Sequence, residues 1–215
     1  MNQLTQQTNI LIPQTMYGDK GFLDWLVRLQ PFHSETGKPP MSANQFYWQA
    51  RLSFECGLRV SESLHLRKKD FDLDHRILTL IDPKTAKGSK QFTSILPYSI
   101  SKLEKFLDNF KEDENPFPTT RGTIWRYYKN TSTIAGMDIF TIRETQVIKG
   151  AWTHMMRNSC SRMYESAGAS ESLINKKLRW KPNTMQQRYN RVEIADVLAF
   201  DIEHFSGKYW GDWVW

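Results

Sequence analysis

Long apolar runs are missing from this chain. Only 40% of its 215 residues are hydrophobic, and no stretch approaches the ~18 residues that cross a bilayer as a helix. The N-terminus, rich in Gln, Thr and Asn around Ile10-Leu11-Ile12, has neither the basic start nor the apolar core of a secretion signal. The expectation is a cytoplasmic, DNA-associated protein with no membrane partner. Cysteine is scarce: Cys56 and Cys160 both sit on apolar helical stretches, which reads as two buried thiols rather than a disulfide or a metal site. No glycine-rich phosphate cradle is present, no cluster of metal-ligating residues stands out, and no internal repeat is visible, so neither a cofactor nor a metal is expected. Acidic residues fall short of basic ones, giving a net charge of +6. That balance is compatible with a nucleic-acid partner without establishing one.

The length suits one substantial core with tails. Residues 1–16 read as a polar, flexible tail, and a helix is expected from Phe22 to Gln30, stopped by Pro31. Ser42 is placed to cap a helix carrying Phe46, Ala50 and Phe54 every four residues, which Gly57 closes. A second helix is expected from Val60 to about Arg67. The period then changes: 76–81 and 91–96 read as two strands joined by a long turn bearing Lys84, Lys87 and Lys90. Helices are expected near Ile100 to Phe110 and from Thr123 to Ile134, with a solvated loop at 112–118 between them. Residues 139–149 alternate weakly, as a small strand pair would. Trp152 to Ala167 is a strong helix, with Met156, Cys160, Met163 and Ala167 inward and Gly168 as its stop. Helices at about 170–179 and 182–191 follow, and residues 193–215 end in Trp210, Trp213 and Trp215. The expected class is α+β, mainly helical with a small antiparallel sheet.

Three constellations carry chemistry. In Gly57-Leu-Arg-Val-Ser-Glu62, a glycine ends one helix and sets Arg59 at the start of the next, where its planar fork can take two phosphate oxygens. Glu62, three residues on, can orient it, though a surface ion pair would look the same. In His154-Met-Met-Arg157, the i, i+3 spacing puts a titratable ring and a guanidinium on one face, opposite the Met156–Cys160–Met163 stripe. In Leu178-Arg-Trp-Lys-Pro182 and Arg188-Tyr-Asn-Arg191, Trp180 offers an indole donor, and Tyr189 lies between two arginines. A phenol with a pKa near ~10 needs a base or a positive field to act as a nucleophile at neutral pH. A core Trp and a half-buried Tyr are the plainer reading of that pair.

In this order and spacing, the Gly-Leu-Arg-Val-Ser-Glu segment, the lysine-bearing hairpin, His-x-x-Arg, Trp and Tyr resemble the catalytic domain of tyrosine recombinases of the phage-integrase and Xer type, over residues 40 to 192. The resemblance implies the DNA breaking-rejoining fold, with residues 17–192 as catalytic domain and 193–215 as a C-terminal helix and aromatic tail that docks on a neighbour or folds back. It implies a metal- and ATP-independent strand transferase acting on double-stranded DNA through a 3′-phosphotyrosyl link to Tyr189, assembled as a homotetramer on DNA and weakly associated without it. By position, Arg59 and Arg157 hold the scissile phosphate, His154 assists, Trp180 donates and packs, and Glu62 supports Arg59. Lys84, directly after the strand, is the preferred general acid, with Lys87 as the alternative. Leu-Arg-Trp stands where most members have Leu-Gly-His. Most members carry an N-terminal DNA-clamping domain, whereas about forty residues precede the matched region here, so the expectation is either an excised catalytic domain or a minimal integrase, with weak DNA binding by the isolated chain. Further phosphate contacts are sought among Lys68, Lys69, Lys90, Arg121 and Arg143, although solvated surface charge is the plainer reading of each. A type IB topoisomerase shares the chemistry but fits His154-x-x-Arg157 with Trp180 less well. A catalytically silent DNA-binding relative is disfavoured because every expected position is filled.

Overall fold

The computed structural model describes residues 41–81, 89–134, 140–143, 146–149, 154–180 and 192–206. Its architecture is helical around a small antiparallel sheet. Helix α1 (Ala43–Glu55) starts at Ser42, whose hydroxyl accepts the Gln45 N–H at 3.1 Å while the Gln45 side chain accepts the Ser42 N–H at 2.9 Å. This reciprocal box satisfies two of the N–H groups that a helix start leaves unpaired. The four-residue spacing identified one inward stripe, but α1 is buried on nearly every side. Phe46, Tyr47, Trp48, Ala50, Leu52 and Phe54 are in the core. So are Arg51 and Glu55, paired at 2.5 Å, with Ser99 and Tyr98 hydroxyls donating to the same carboxylate. A buried pair endures when its spare lone pairs are met in this way.

Helix α2 spans Val60–Ser63 and stops short of the expected Arg67; a 3₁₀ turn at Lys68–Asp70 leads instead into a short strand, β1 (Phe71–Asp72), which sequence reading did not foresee. Strand β2 (Ile77–Ile81) pairs antiparallel with both β1 and β3 (Lys90–Ser94), in the order β1-β2-β3. Ile81 faces Lys90, so the stretch with Lys84 and Lys87 is the connection between β2 and β3 and lies outside the described residues. Helix α3 (Ile100–Leu107) buries Leu103, Phe106 and Leu107, and α4 (Arg121–Ile134) buries Ile124, Tyr127 and Tyr128. Strands β4 (Phe140–Arg143) and β5 (Gln146–Lys149) pair antiparallel, as the weak alternation suggested.

Helix α5 (His154–Ser166) packs on α1 through Met156, Cys160, Met163 and Tyr164, with Ala167 beyond its end half-buried. Helix α6 (Glu171–Leu178) is capped by the Ser170 hydroxyl, which accepts the Leu173 N–H. Helix α7 (Ile194–Phe205) packs on its own chain against α6 and β3. Asp201 on α7 anchors that contact: it lies 3.6 Å from Lys177 and accepts the Tyr164 hydroxyl, while Lys177 donates to Ser94 at 2.7 Å. The helix expected at 182–191 and the one expected at Phe22–Gln30 lie outside the described residues, as does the aromatic end from 207 onward. Among the described residues no helix is long and apolar enough to cross a membrane.

Candidate active site

Among the described residues, three helices end in the same backbone device. At each end the residue after a left-handed one donates its N–H back across five residues: Leu58 to Ser53 at 3.2 Å, Ala169 to Tyr164 at 2.9 Å and Trp180 to Asn175 at 2.9 Å. That closure requires a left-handed residue in between. Gly57 (φ 57°) and Gly168 (φ 84°) fill two of these positions as expected, and Arg179 (φ 57°) fills the third. At Gly57 glycine is needed twice over, because a Cβ there would lie 2.2 Å from the Leu178 Cδ2 atom. Gly57→Ala should therefore cost about 2–4 kcal/mol from left-handed strain and overpacking together; urea unfolding of the two proteins measures it.

The close approach brings the ends of α1 and α6 beside α2 and α5, and the site forms where they meet. Arg59 is the residue before α2, with extended backbone (φ −74°, ψ 152°) rather than a helical one. The Glu62 carboxylate folds back to it: one oxygen accepts the Arg59 backbone N–H at 2.6 Å, the other the Arg59 Nη1 at 2.6 Å. Arg59 keeps 41% of its side chain exposed against 8% for Glu62, so a buried carboxylate steers a guanidinium that faces outward. Sequence spacing anticipated this pairing.

Arg157 is a correction. The i, i+3 pattern put it on a face opposite the core stripe, but it is 3% exposed. Its Nη1 donates to the Gly57 carbonyl and its Nη2 to the Leu178 carbonyl, the two helix ends that meet at this point. The Leu178 carbonyl is an orphan of its helix end and the Gly57 carbonyl belongs to the turn that closes α1, and a guanidinium is well shaped to satisfy two at once. Two of its five N–H donors are used in this way. Its carbon lies 5.8 Å from the centre of the Trp180 ring, and Nη1 lies 3.9 Å from Glu62. Trp180 itself is 41% exposed, not a core residue.

Arg179 escaped sequence reading altogether. Its Nη2 donates to Glu62 at 2.9 Å and to the Gly57 carbonyl at 2.9 Å; its Nη1 reaches the Cys56 carbonyl at 3.1 Å and the Lys177 carbonyl at 3.0 Å. Three guanidiniums thus surround one carboxylate. Burial raises the pKa of Glu62, but Arg179, the Arg59 N–H, Arg157 and the Arg59 side chain more than offset it and hold it below the ordinary range. Burial lowers the pKa of Arg157, and Arg179 and Arg59 push the same way against Glu62; a guanidinium nonetheless stays protonated at neutral pH. The cluster is net positive, as an anion site requires.

Of the other anticipated residues, His154 opens α5 one turn before Arg157, and its side chain is not described. Lys84, Lys87 and Tyr189 lie outside the described residues. Lys68 and Lys69 are engaged by acidic neighbours, Glu112 at 3.5 Å and Asp113 at 2.5 Å. Lys90 and Arg121 are exposed. The side chain of Arg143, on β4, is not described. Among the described residues no group of three or more His, Cys, Asp or Glu gathers to hold a metal.

Comparison with known proteins gives a consistent answer. The chain aligns with an integrase from the mycobacterium phage Brujita at 14% identity and a TM-score of 0.57, covering 86% of this chain and 56% of that one. The Tn1549 transposon integrase, solved in complex with transposon right end DNA, gives 15% identity and a TM-score of 0.60 over 96% of this chain and 69% of that one. The XerH site-specific recombinase bound to its difH substrate gives 18% identity and a TM-score of 0.52 over 80% and 48%. At these identities the likeness is one of fold, and the chain spans little more than half of the phage integrase. A search of curated proteins finds no match. The model of the phage integrase family matches residues 42–195, from the cap of α1 to the start of α7, and on that match the chain belongs to the phage integrase family.

Proposed function

We propose that this chain is a site-specific DNA recombinase that cuts and rejoins strands through a covalent link to Tyr189. The observation that carries this reading is the guanidinium cluster: Arg59, outward-facing and aimed by Glu62, stands with Arg157 and Trp180 where three helix ends converge. Attack on a phosphodiester builds charge on the non-bridging oxygens, and fixed positive groups stabilise it without metal. In the proposed step the Tyr189 oxygen, relieved of its proton with help from His154, bonds to phosphorus. The bond to the 5′-oxygen breaks, and Lys84 protonates that oxygen as it leaves. The 3′-phosphotyrosyl link keeps the energy of the broken bond, so a 5′-hydroxyl from another strand rejoins the DNA by the reverse step and needs no nucleotide. Exchange between two duplexes breaks four strands, and one Tyr189 per chain makes the working unit a tetramer. DNA complexes among the structural neighbours, one with transposon right end DNA and one with a difH substrate, support DNA as the partner.

The test is a set of nicked suicide duplexes tiled across the DNA flanking the gene. The full chain should form an adduct stable to denaturation on one of them. Specific binding with no adduct under permissive conditions would favour the silent DNA-binding relative, and unspecific plasmid relaxation the topoisomerase. The lysine is resolved separately. Lys84→Ala should slow cleavage by about 100-fold, as loss of a general acid does, and a 5′-bridging sulfur that leaves without a proton should restore the rate. If Lys87→Ala alone shows that rescue, Lys87 is the acid.

A further inference from the structure

We propose that Arg179 is a positioning residue of the cleavage site, a guanidinium that fixes Glu62 and through it the aim of Arg59. This rests on the recombinase reading above and extends it to a position that the family motif, with glycine there, does not assign.

The backbone gives the first argument. Two of the three left-handed helix ends use glycine, and the third uses Arg179 at φ 57°. Left-handed geometry disfavours any side chain, so glycine would suit the backbone better. The side chain gives the second. It is 4% exposed, and it donates to Glu62, to the carbonyls of Cys56 and Gly57 at the end of α1, and to Lys177 at the end of α6. One group therefore ties together both helix ends that define the site and the carboxylate that aims Arg59. Its terminal nitrogens are taken up by these partners, so it acts through Glu62 rather than by gripping a phosphate. Without it, Glu62 keeps the Arg59 backbone N–H, the exposed Arg59 guanidinium and a more distant Arg157 at 3.9 Å, and loses the short contact that ties its carboxylate to the end of α6.

The test uses the full chain and the suicide duplex on which the wild type forms its adduct. Arg179→Gly removes the guanidinium while easing the backbone. Single-turnover cleavage should fall about tenfold or more, with DNA affinity changed by less than about twofold, because the lost coupling is felt between neighbours within the site. Added guanidinium ion should recover part of the rate for Arg179→Gly and none for Glu62→Gln. The double variant should cleave no more slowly than Glu62→Gln alone, as two residues on one route do. Wild-type cleavage by Arg179→Gly, or losses that multiply in the double variant, would overturn the proposal. Should Arg179→Gly fail to fold by circular dichroism, Arg179→Lys decides: it keeps the charge and loses the fork, so a folded but slowed enzyme supports the role and a wild-type rate refutes it. Absence of an adduct from the wild type is a different result, one that removes the recombinase reading itself.

Discussion

Tyr189→Phe should abolish covalent attachment to DNA and leave fold and DNA affinity in place. In the proposed reaction the Tyr189 oxygen bonds to phosphorus and becomes the leaving group of the rejoining step; phenylalanine lacks that oxygen, so no side route to the same intermediate remains. The expected effect is therefore total loss of adduct on the suicide duplex, not a slower approach to the same level. Folding and affinity should hold, since the ring is kept and DNA affinity rests on many phosphate contacts. Two measurements on one preparation check this: a denaturing gel for the adduct and fluorescence anisotropy for binding at fixed salt. Adduct formation by the phenylalanine variant would mean that another nucleophile does the chemistry. The same substitution in a mixture with wild type also reports geometry. If a tetramer cleaves with its own Tyr189 in each subunit, adducts fall in proportion to the wild-type fraction; a donated Tyr189 would appear on the neighbour's half of the site.

How far such a site can be read in advance depends on whether its parts are local. The Ser42 cap and the Gly57 stop are local, and both are found. The Arg59–Glu62 pair spans three residues and is found as well. The change from helical to alternating period between Leu64 and Ile77 correctly placed the hairpin, although α2 is a single turn and β1 was missed. What failed was non-local. The spacing of His154 and Arg157 records a face of α5 but not that two helix ends bring their carbonyls onto it, one from Gly57 and one from Leu178. A side chain that looks solvated along the helix is then buried because it has partners there. Arg179 failed for a related reason. In the sequence it is one more basic residue among Lys176, Lys177 and Lys181, and its importance rests on a φ angle and on Glu62 far up the chain. Read as a conflict between an arginine and a position fit for glycine, it would have been noticed: Leu-Arg-Trp in place of Leu-Gly-His was the available signal.

The second large effect concerns Arg157, and its burial decides which substitution is informative. Arg157→Ala takes away the guanidinium that meets the Leu178 carbonyl, one of two donors to the Gly57 carbonyl, which keeps Arg179, and one of the cations facing Glu62. Leaving a buried acceptor unmet costs about 1–3 kcal/mol, so the alanine variant should lose about that much stability and all detectable cleavage. That result cannot separate scaffold from chemistry. Arg157→Lys can. Lysine keeps a positive charge near Glu62 and can meet one carbonyl, so the melting temperature should drop only modestly. It has no planar fork, and therefore cannot serve the helix ends and two phosphate oxygens together. Cleavage should fall about 100- to 1,000-fold, the usual cost of one misplaced charge-stabilising group, while DNA affinity changes little. The two readings diverge on a plot of rate against stability. If Arg157 only braces α1 against α6, the lysine variant cleaves about as fast as its stability allows, and compensating stabilisation elsewhere restores it. If it also holds the scissile phosphate, no gain in stability brings the rate back.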